Sequence, residues 1–417
     1  MQTIQFSLLC VLVLAPATTA HAQQYVITDL GTLGGTYSEA SDINDSGQII
    51  GMAFPEEWDP FRAFFWQDGA MIELPAPDGL SVARGVNAAG DAVGFAADGQ
   101  AALWQNGQYF NLAELSGLAE VSFSGASDIN NTGQIAGDFR AKQSTIDQAV
   151  RWSFVDGQWS VTTLDLLDLP DTEASAINDA GLIVGQGKVD EEDPVWPEAS
   201  VWHAALWDAQ GNATDLGTLG GGRSRAADIN NHNQVVGGAE TGETFMYCTE
   251  EVLAVSHAFM WQNGELFDLG SLGGSISAAS AINDNGLIVG LSLIGDACGS
   301  ALHPFLWQEG VMIDLNDVIP EDSGWLELEN AVAINNAGQI VGQGWTEDFH
   351  EHAFLLTPCV PADFDCDGIV GPFDLAQLLA AWGPCADPDD CPADLNDDGT
   401  IGPFDLAQLL GNWGEYP

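Results

Sequence analysis

Apolar and polar positions alternate along this chain in short runs, four runs to a unit and seven units in all. The first unit opens on "EASDI" (Glu39 to Ile43), turns into "QIIG" (Gln48 to Gly51), and continues with "AFFW" (Ala63 to Trp66) and "AMIEL" (Ala70 to Leu74). Period-two alternation over four to six residues, bounded by Gly, Asn and Asp, reads as β-strand. We label the four runs strands a to d. The phrase "SDINDSGQIIG" (Ser41 to Gly51) returns six more times in degraded form, and its asparagines Asn44, Asn87, Asn130, Asn178, Asn230, Asn283 and Asn335 are spaced 43, 43, 48, 52, 53 and 52 residues apart. Periods of about 40–50 residues with four strands each predict propeller blades.

Short Asn/Asp/Gly turns join a to b, and "QDG", "QNG" or "QEG" joins c to d, using residues suited to tight hairpins. Acids at alternate positions in "DINDSG" raise the question of calcium, but "VNAAGD" and "AINNAG" drop them, so the turn reading is favoured. Six units end strand c on Trp (Trp66, Trp104, Trp152, Trp207, Trp261, Trp307) and the seventh has Leu356 there. One bulky residue at a fixed place in each unit predicts packing between sheets. The seventh unit stops after strand c, whereas "YVITDLGTLGG" from Tyr25 matches the d strand and loop of later units. We therefore expect an all-β seven-bladed propeller closed by the N-terminal strand Tyr25 to Leu30, which removes the open edges.

This connectivity puts the short a–b and c–d turns on one face and every long insertion on the other, the face where binding is expected. The insertions mix aromatics (Trp58, Trp196, Trp202, Tyr247, Trp345) with acids (Glu56, Glu57, Asp190, Glu191, Glu192, Glu347). Flat rings and carboxylates suit sugars, so the five aromatics are the candidate ligand face, although each Trp could instead pin its own loop. Cys248 and Cys298 fall in neighbouring loops of this face and are expected to pair. His203, His257, His303 and His352 begin strand c in four different blades, too dispersed for one metal. No Ser/His/Asp signature, phosphate loop or HExxH occurs, and two catalytic carboxylates cannot be picked from so many, so catalytic residues stay unassigned.

The repeats resemble the HAF-repeat family of extracellular proteins, on "HAF" at His257 to Phe259 and His352 to Phe354, "DLGTLGG" and "INDNGLIVG". The resemblance covers about residues 25–357 and implies secretion and a repeat fold, with no reaction attached. Units two and three depart from it, with "LAELSGLAE" and "LLDLPDTEA" in place of "DLGTLGG".

After Pro358 the pattern changes to "DFDCDGIVGPFDLAQLLAAWG" and then "DLNDDGTIGPFDLAQLLGNWG". Each opens with a loop whose oxygens fit calcium: Asp363, Asp365, Asp367, the carbonyl of Ile369 and Asp374 in the first, Asp394, Asn396, Asp398, the carbonyl of Thr400 and Asp405 in the second. Pro ahead of each loop excludes an entering helix. A helix follows each loop, and Phe373, Leu375, Leu378, Leu379 and Trp382 are expected to form a mainly buried face. Duplicated loop–helix units with Asp at the last ligand position look like a type I dockerin of the cysteine-bearing, planctomycete type. That resemblance covers about residues 359–417 and implies two Ca2+ ions, a small α-helical domain, and docking to a cohesin-like receptor or surface component through Pro372, Phe373, Pro403 and Phe404. Cys359, Cys366, Cys385 and Cys391 allow three pairings.

Composition narrows the picture. Eight Lys plus Arg against 61 Asp plus Glu give a formal net charge of −53, which excludes nucleic acid as a partner. Residues 1–22 read as a signal peptide, with an apolar run ending at "AHA", and no later run is long enough to insert in a membrane. The expected organisation is signal peptide 1–22, propeller 23–358 and dockerin-like domain 359–417. The expected protein is a secreted, monomeric, non-catalytic binding or scaffold propeller with polysaccharide as the ligand class. The alternative is a polysaccharide-degrading enzyme, a glycoside hydrolase or lyase.

Overall fold

The computed structural model describes residues 24–415, apart from 57–58, 78, 97–98, 119, 192, 194–199, 247–251, 296–299, 321–322, 387–390 and 397. The chain forms two compact units that divide at Pro358/Cys359. The larger is an all-β propeller of seven four-stranded antiparallel sheets. Six sheets are built from consecutive strands. The seventh combines Trp325–Ile334, Ile340–Thr346 and Glu351–Pro358 with the N-terminal strand Tyr25–Asp29, which pairs Tyr25 with Pro358 and Asp29 with Phe354.

Strand a is innermost in every sheet, and a repeated distortion of it explains part of the repeated phrase. The a strands share a bulge at one place, between Ala40 and Asp42 in the first blade and between Ala226 and Asp228 in the fifth. The bulge presses a carbonyl oxygen of strand a against the glycine that ends the phrase on strand b. A Cβ at Gly51 would lie 2.0 Å from the Glu39 oxygen, one at Gly237 2.0 Å from the Arg225 oxygen, and one at Gly290 2.2 Å from the Ala278 oxygen. No residue larger than glycine fits there without moving the bulge.

The asparagine of the phrase has two tasks. Its side-chain oxygen accepts N–H groups of its own a–b turn, as when Asn230 Oδ1 accepts from His232 and Gln234. Its amide nitrogen donates to the backbone carbonyl of the asparagine in the next blade. These bonds run from Asn44 to Asn87, Asn130, Asn178, Asn230, Asn283 and Asn335 and return from Asn335 to Asn44 at 3.1 Å, completing a circle. The turn also needs positive φ at its fourth residue. Glycine stands there in six blades, Gly47 among them, and Asn233 in the fifth, at φ 60°.

A second set of bonds joins the blades further out. The hydroxyl that begins strand a accepts an N–H from strand c of the preceding blade, as from Ala258 to Ser277 at 2.8 Å and from Ala353 to Ser38 at 2.9 Å. Where blade six meets blade seven, Pro304 stands at the donor place and has no N–H, and blade seven carries Leu328 and Glu329 where its neighbours carry a hydroxyl. Trp104, Trp152 and Trp207 are fully buried between sheets, as is Leu356 in the seventh, while Trp261 and Trp307 are partly buried. In blade five the b–c insertion is not a free loop, because strands Val235–Met246 and Val252–Gln262 extend into it as a ribbon.

The smaller unit has two loop–helix repeats, with helices Pro372–Ala380 and Pro403–Gly411. Its core pairs equivalent residues of the repeats: Ala362 with Ala393, Val370 with Ile401, Leu378 with Leu409. The expected buried helix face is corrected here. Leu378 is buried, but Phe373, Leu379 and Trp382 are 57%, 51% and 45% exposed, because one small core between two short helices takes only one stripe of each. Disulfides join Cys359 to Cys366 and Cys385 to Cys391, which selects one of the three pairings. Cys248 and Cys298 lie outside the described residues, as does the segment 1–22.

Asn230→Ala should destabilise the propeller by about 2–4 kcal/mol in chemical denaturation, because it strands buried backbone groups in its own turn and in the next blade. Gly237→Ala should cost a similar amount through overpacking. Melting within about 1 °C of the parent for both variants would contradict this account.

Candidate functional site

Three places in the molecule concentrate polar chemistry. The first is the axial channel lined by the a strands. At its turn-side mouth a cavity of about 190 Å³ is lined by the Ile-Asn-Asx triplets of the turns. The residue after each ring asparagine is Asp45, Ala88, Asn131, Asp179, Asn231, Asp284 or Asn336, so carboxylate and amide alternate with one break at Ala88. Each carboxylate accepts from the amide of a neighbour, as Asp284 does from Asn231 at 3.1 Å and Asp45 from Asn336 at 3.0 Å. One layer deeper, Asp42, Asp128 and Asp228 each staple two blades, accepting the N–H of the next residue and that of Val86, Ile177 or Ile282. Burial pushes the Asp128 carboxyl up to about 7 and that of Asp228 up to about 6. Burial and then the charge of Asp128 raise Asp42 well above the usual carboxylate range.

The second place is on the long-loop face. A cavity of about 840 Å³ opens across blades four to six, with Trp202, Gln186, Arg223, Arg225, Glu240 and Ser256 in its wall. Lys188 Nζ lies 5.3 Å from the centre of the Trp202 ring and 3.3 Å from Asp171. Arg223 faces Asp193 at 3.4 Å. Burial raises the Glu240 carboxyl, against the N–H that Gly222 donates to it. On the opposite side, blades seven and one bring Tyr37 against Phe54 and Phe61, with the Tyr37 hydroxyl donating to Glu39 at 2.9 Å. Glu351 is raised by burial and then by the charges of Glu329 and Glu39. The two sides thus differ in charge, with bases and acids mixed at blades four to six and acids gathered at blades seven and one.

Of the five aromatics expected to form a ligand face, Trp58, Trp196 and Tyr247 lie outside the described residues. Trp202 lines the cavity, whereas Trp345 sits in a strand of blade seven opposite Glu351 and does not join it. The four histidines do not converge. Each Nδ1 instead meets an aspartate of the adjacent strand: His203 with Asp215, His257 with Asp268, His303 with Asp314, and His352 with Asp29 of the N-terminal strand. Burial opposes a charge on His203, but its hydrogen bond to Asp215 and the charges of Asp215, Glu191 and Asp168 together outweigh this and raise its value. Pairing "HAF" with "DLG" across two strands therefore accounts for both phrases. Sequence reasoning missed Arg223 and Arg225, whose one signal was the scarcity of basic residues.

The third place is the pair of acidic loops in the smaller unit. Carboxylate oxygens of Asp363, Asp365 and Asp374 lie within 4.8 Å of one another. Burial and then contact with Asp363 push Asp365 up to about 6. Asp363 gathers the loop by accepting from Gly368 at 2.9 Å, and Asp374 accepts from Phe364 and Gly371, both at 2.7 Å. The second loop repeats these bonds, with Asp394 accepting from Gly399 and Asp405 from Leu395 and Gly402. Crowded acids without a base among them fit a hard divalent cation. Cys385 and Cys391 also approach Asp394, but they are bonded to each other and so are not ligands.

Among the described residues no helix is long and apolar enough to cross a membrane. No family model matches the chain, and no curated protein does. Among solved structures it is similar to the polysaccharide lyase Uly1, with 10% identity, 76% of each chain covered and a TM-score of 0.36. It is also similar to a putative oxidoreductase (glucose dehydrogenase) from Thermus thermophilus, with 9% identity, 80% of this chain and 99% of that one covered, and a TM-score of 0.31. Values this low carry no functional argument, and the propeller assignment rests on the strand pairing of the chain itself.

The raised carboxyls of Asp42, Asp128 and Asp228 favour the folded ring while they keep their protons. That contribution is complete below the ordinary carboxylate value of about 4 and is lost as pH rises through about 6 for Asp228 and about 7 for Asp128. The propeller should accordingly melt several degrees higher at about pH 5 than at about pH 8. Asp128→Ala, which copies Ala176 of the next blade, should flatten that slope, and an unchanged slope in thermal melts would reject the assignment.

Proposed function

We propose that this chain is a secreted, non-catalytic carbohydrate-binding propeller attached to a larger complex or a surface by its C-terminal unit. The observation that carries the reading is the 840 Å³ cavity on the long-loop face, with Trp202 beside hydroxyl, amide and carboxylate groups. An indole can lie against the apolar face of a sugar ring while the polar groups meet its hydroxyls. The N-terminal strand acts as the closing strand of the ring, supported by its pairing with blade seven and by the His352–Asp29 contact at 2.9 Å.

The smaller unit is read as a calcium-dependent dockerin-like module, on the resemblance of its loops and their donor sets. Asp363, Asp365, Asp367, Asp374 and the Ile369 carbonyl would hold one Ca2+, and Asp394, Asn396, Asp398, Asp405 and the Thr400 carbonyl the other. The exposed pairs Phe373 and Phe404, Leu379 and Leu410, and Trp382 and Trp413 stand at matching places in the two repeats and suit a docking surface for a cohesin-like receptor.

A second reading, a polysaccharide-degrading enzyme, is favoured by the Tyr37, Glu39 and Glu351 group. Its raised Glu351 beside a second carboxylate is the pattern from which acid–base pairs are made.

One experiment separates the two. The full chain is incubated with a panel of polysaccharides, and protein depletion and new reducing or unsaturated ends are scored in the same tubes. Depletion without new ends is expected. New ends that vanish in Glu351→Gln would establish the enzyme instead. For the tail, a chelator should expose 359–417 to protease while the β-sheet signal of the propeller persists, and Asp363→Ala should reproduce half of the effect. Equal protease resistance with and without chelator would dispose of the calcium reading.

A further inference from the structure

The basic residues of this chain are few enough to follow one by one. There are eight, against 61 acids. Arg62, Arg140, Lys142, Lys188 and Arg223 each face a carboxylate. Arg151 donates to the carbonyls of Gly181, Asp208 and Ala209. Arg84 lies 4.9 Å from the centre of the Phe95 ring, in the field of Asp138. Neither Arg84 nor Arg225 makes a side-chain hydrogen bond or ion pair among the described residues, but Arg84 is seated against the Phe95 ring, whereas among the described residues no ring lies against Arg225. Arg225 is exposed on strand a of blade five, in the wall of the large cavity beside Arg223 and Trp202. Its electrostatic influence on Arg84 is repulsive, adding to the burial that lowers that group.

An arginine without a partner is unusual in a chain where acids outnumber bases so heavily, because almost any surface arginine would find a carboxylate. Here the inner walls of blades four to six supply serines and alanines near it: Ser175, Ala227, Ala278 and Ser280. A planar guanidinium in a cavity presents a fork of N–H donors matched to a carboxylate or phosphate oxygen pair. The overall charge then discriminates between these anions. In a field of −53 a polyphosphate or other multiply charged anion is repelled through every charge it brings, whereas a single carboxylate is opposed least. The rest of the wall selects a polyol, with Trp202 for an apolar ring face and Gln186, Ser256 and Glu240 for hydroxyls.

The geometry points to a carboxylated saccharide, a short uronate-containing oligosaccharide, as the ligand of this cavity, with Arg225 receiving the carboxylate. The inference rests on the carbohydrate-binding reading above and adds the charge of the ligand and the residue that reads it.

The test is titration calorimetry on the full chain with short oligosaccharides that carry a single glucuronate, galacturonate or mannuronate among neutral hexoses, each beside a neutral hexose oligomer of equal length, and with inorganic phosphate. At least one of the uronate-bearing oligosaccharides should bind roughly tenfold or more tightly than its neutral counterpart. Arg225→Gln should erase that preference, and Arg225→Lys should keep part of it. Because Arg225 is exposed and its side chain unpartnered, both variants should melt with the parent, so that lost binding reports recognition and not folding. Neutral oligomers that bind as well as uronates, or an Arg225→Gln variant with unchanged preference, would overturn the inference and leave the carbohydrate reading standing. Phosphate binding without any saccharide binding, or no binding by any probe, would overturn both.

Discussion

The structure depends on one side-chain amide used twice. In a propeller the turns between the two innermost strands of each blade crowd around the axis, and their backbone groups are cut off from water and from any sheet partner. An unsatisfied buried carbonyl or N–H costs about 1–3 kcal/mol, and seven turns multiply that cost. The ring asparagine meets both demands, folding its own turn with its oxygen and reaching the next blade with its nitrogen. Aspartate would lack the donor, and glutamine would place it a methylene too far. The remaining features of the repeat follow from holding seven such turns in register: a bulged inner strand, a glycine that accepts the bulge, and a hydroxyl that carries the link outward to strand c.

This explains why the fold was legible in the sequence to the extent it was. Asparagine and the final glycine survive in all seven copies while the acids of "DINDSG" do not, so the repeat itself separates what the architecture needs from what it tolerates. Strand count, blade number and tight turns followed from spacing and alternation. The circle of hydrogen bonds did not, because a turn asparagine has a sufficient local reason to exist and gives no sign of a second partner some 43 to 53 residues away. The histidines show the same limit. Their dispersal around the ring was readable, whereas their pairing with the aspartate of "DLG" required the register between strands c and d. In the smaller unit the helix pattern misled, since apolar residues at helical spacing usually mark burial, and here several remain exposed.

The candidate site was less legible for a physical reason. A binding surface on a repeat scaffold is made of the positions that break the repeat, so no periodic signal marks it. Arg225 occupies a place that in other blades holds Glu39, Val82, Gly125, Glu173, Ala278 or Asn330. Sequence reasoning looked to the conspicuous aromatics of the insertions, and of these, among the described residues, Trp202 alone is found in the cavity wall.

Charge ties the scaffold to the site. A chain with so large a negative excess must keep its carboxylates from destabilising the ring, and it does so in two ways near the axis. At the channel mouth aspartate alternates with asparagine, so that each carboxylate has an amide neighbour instead of a second charge. Seven blades cannot alternate perfectly, and Ala88 stands where the alternation fails. Deeper in the channel three aspartates sit on alternate blades, one, three and five, each bracing the blade that follows, where burial favours their neutral form. With like charges thus separated or neutralised, little demand remains for cations along the axis. An arginine placed there is surplus to the fold, and a guanidinium that the fold does not need is available to a ligand.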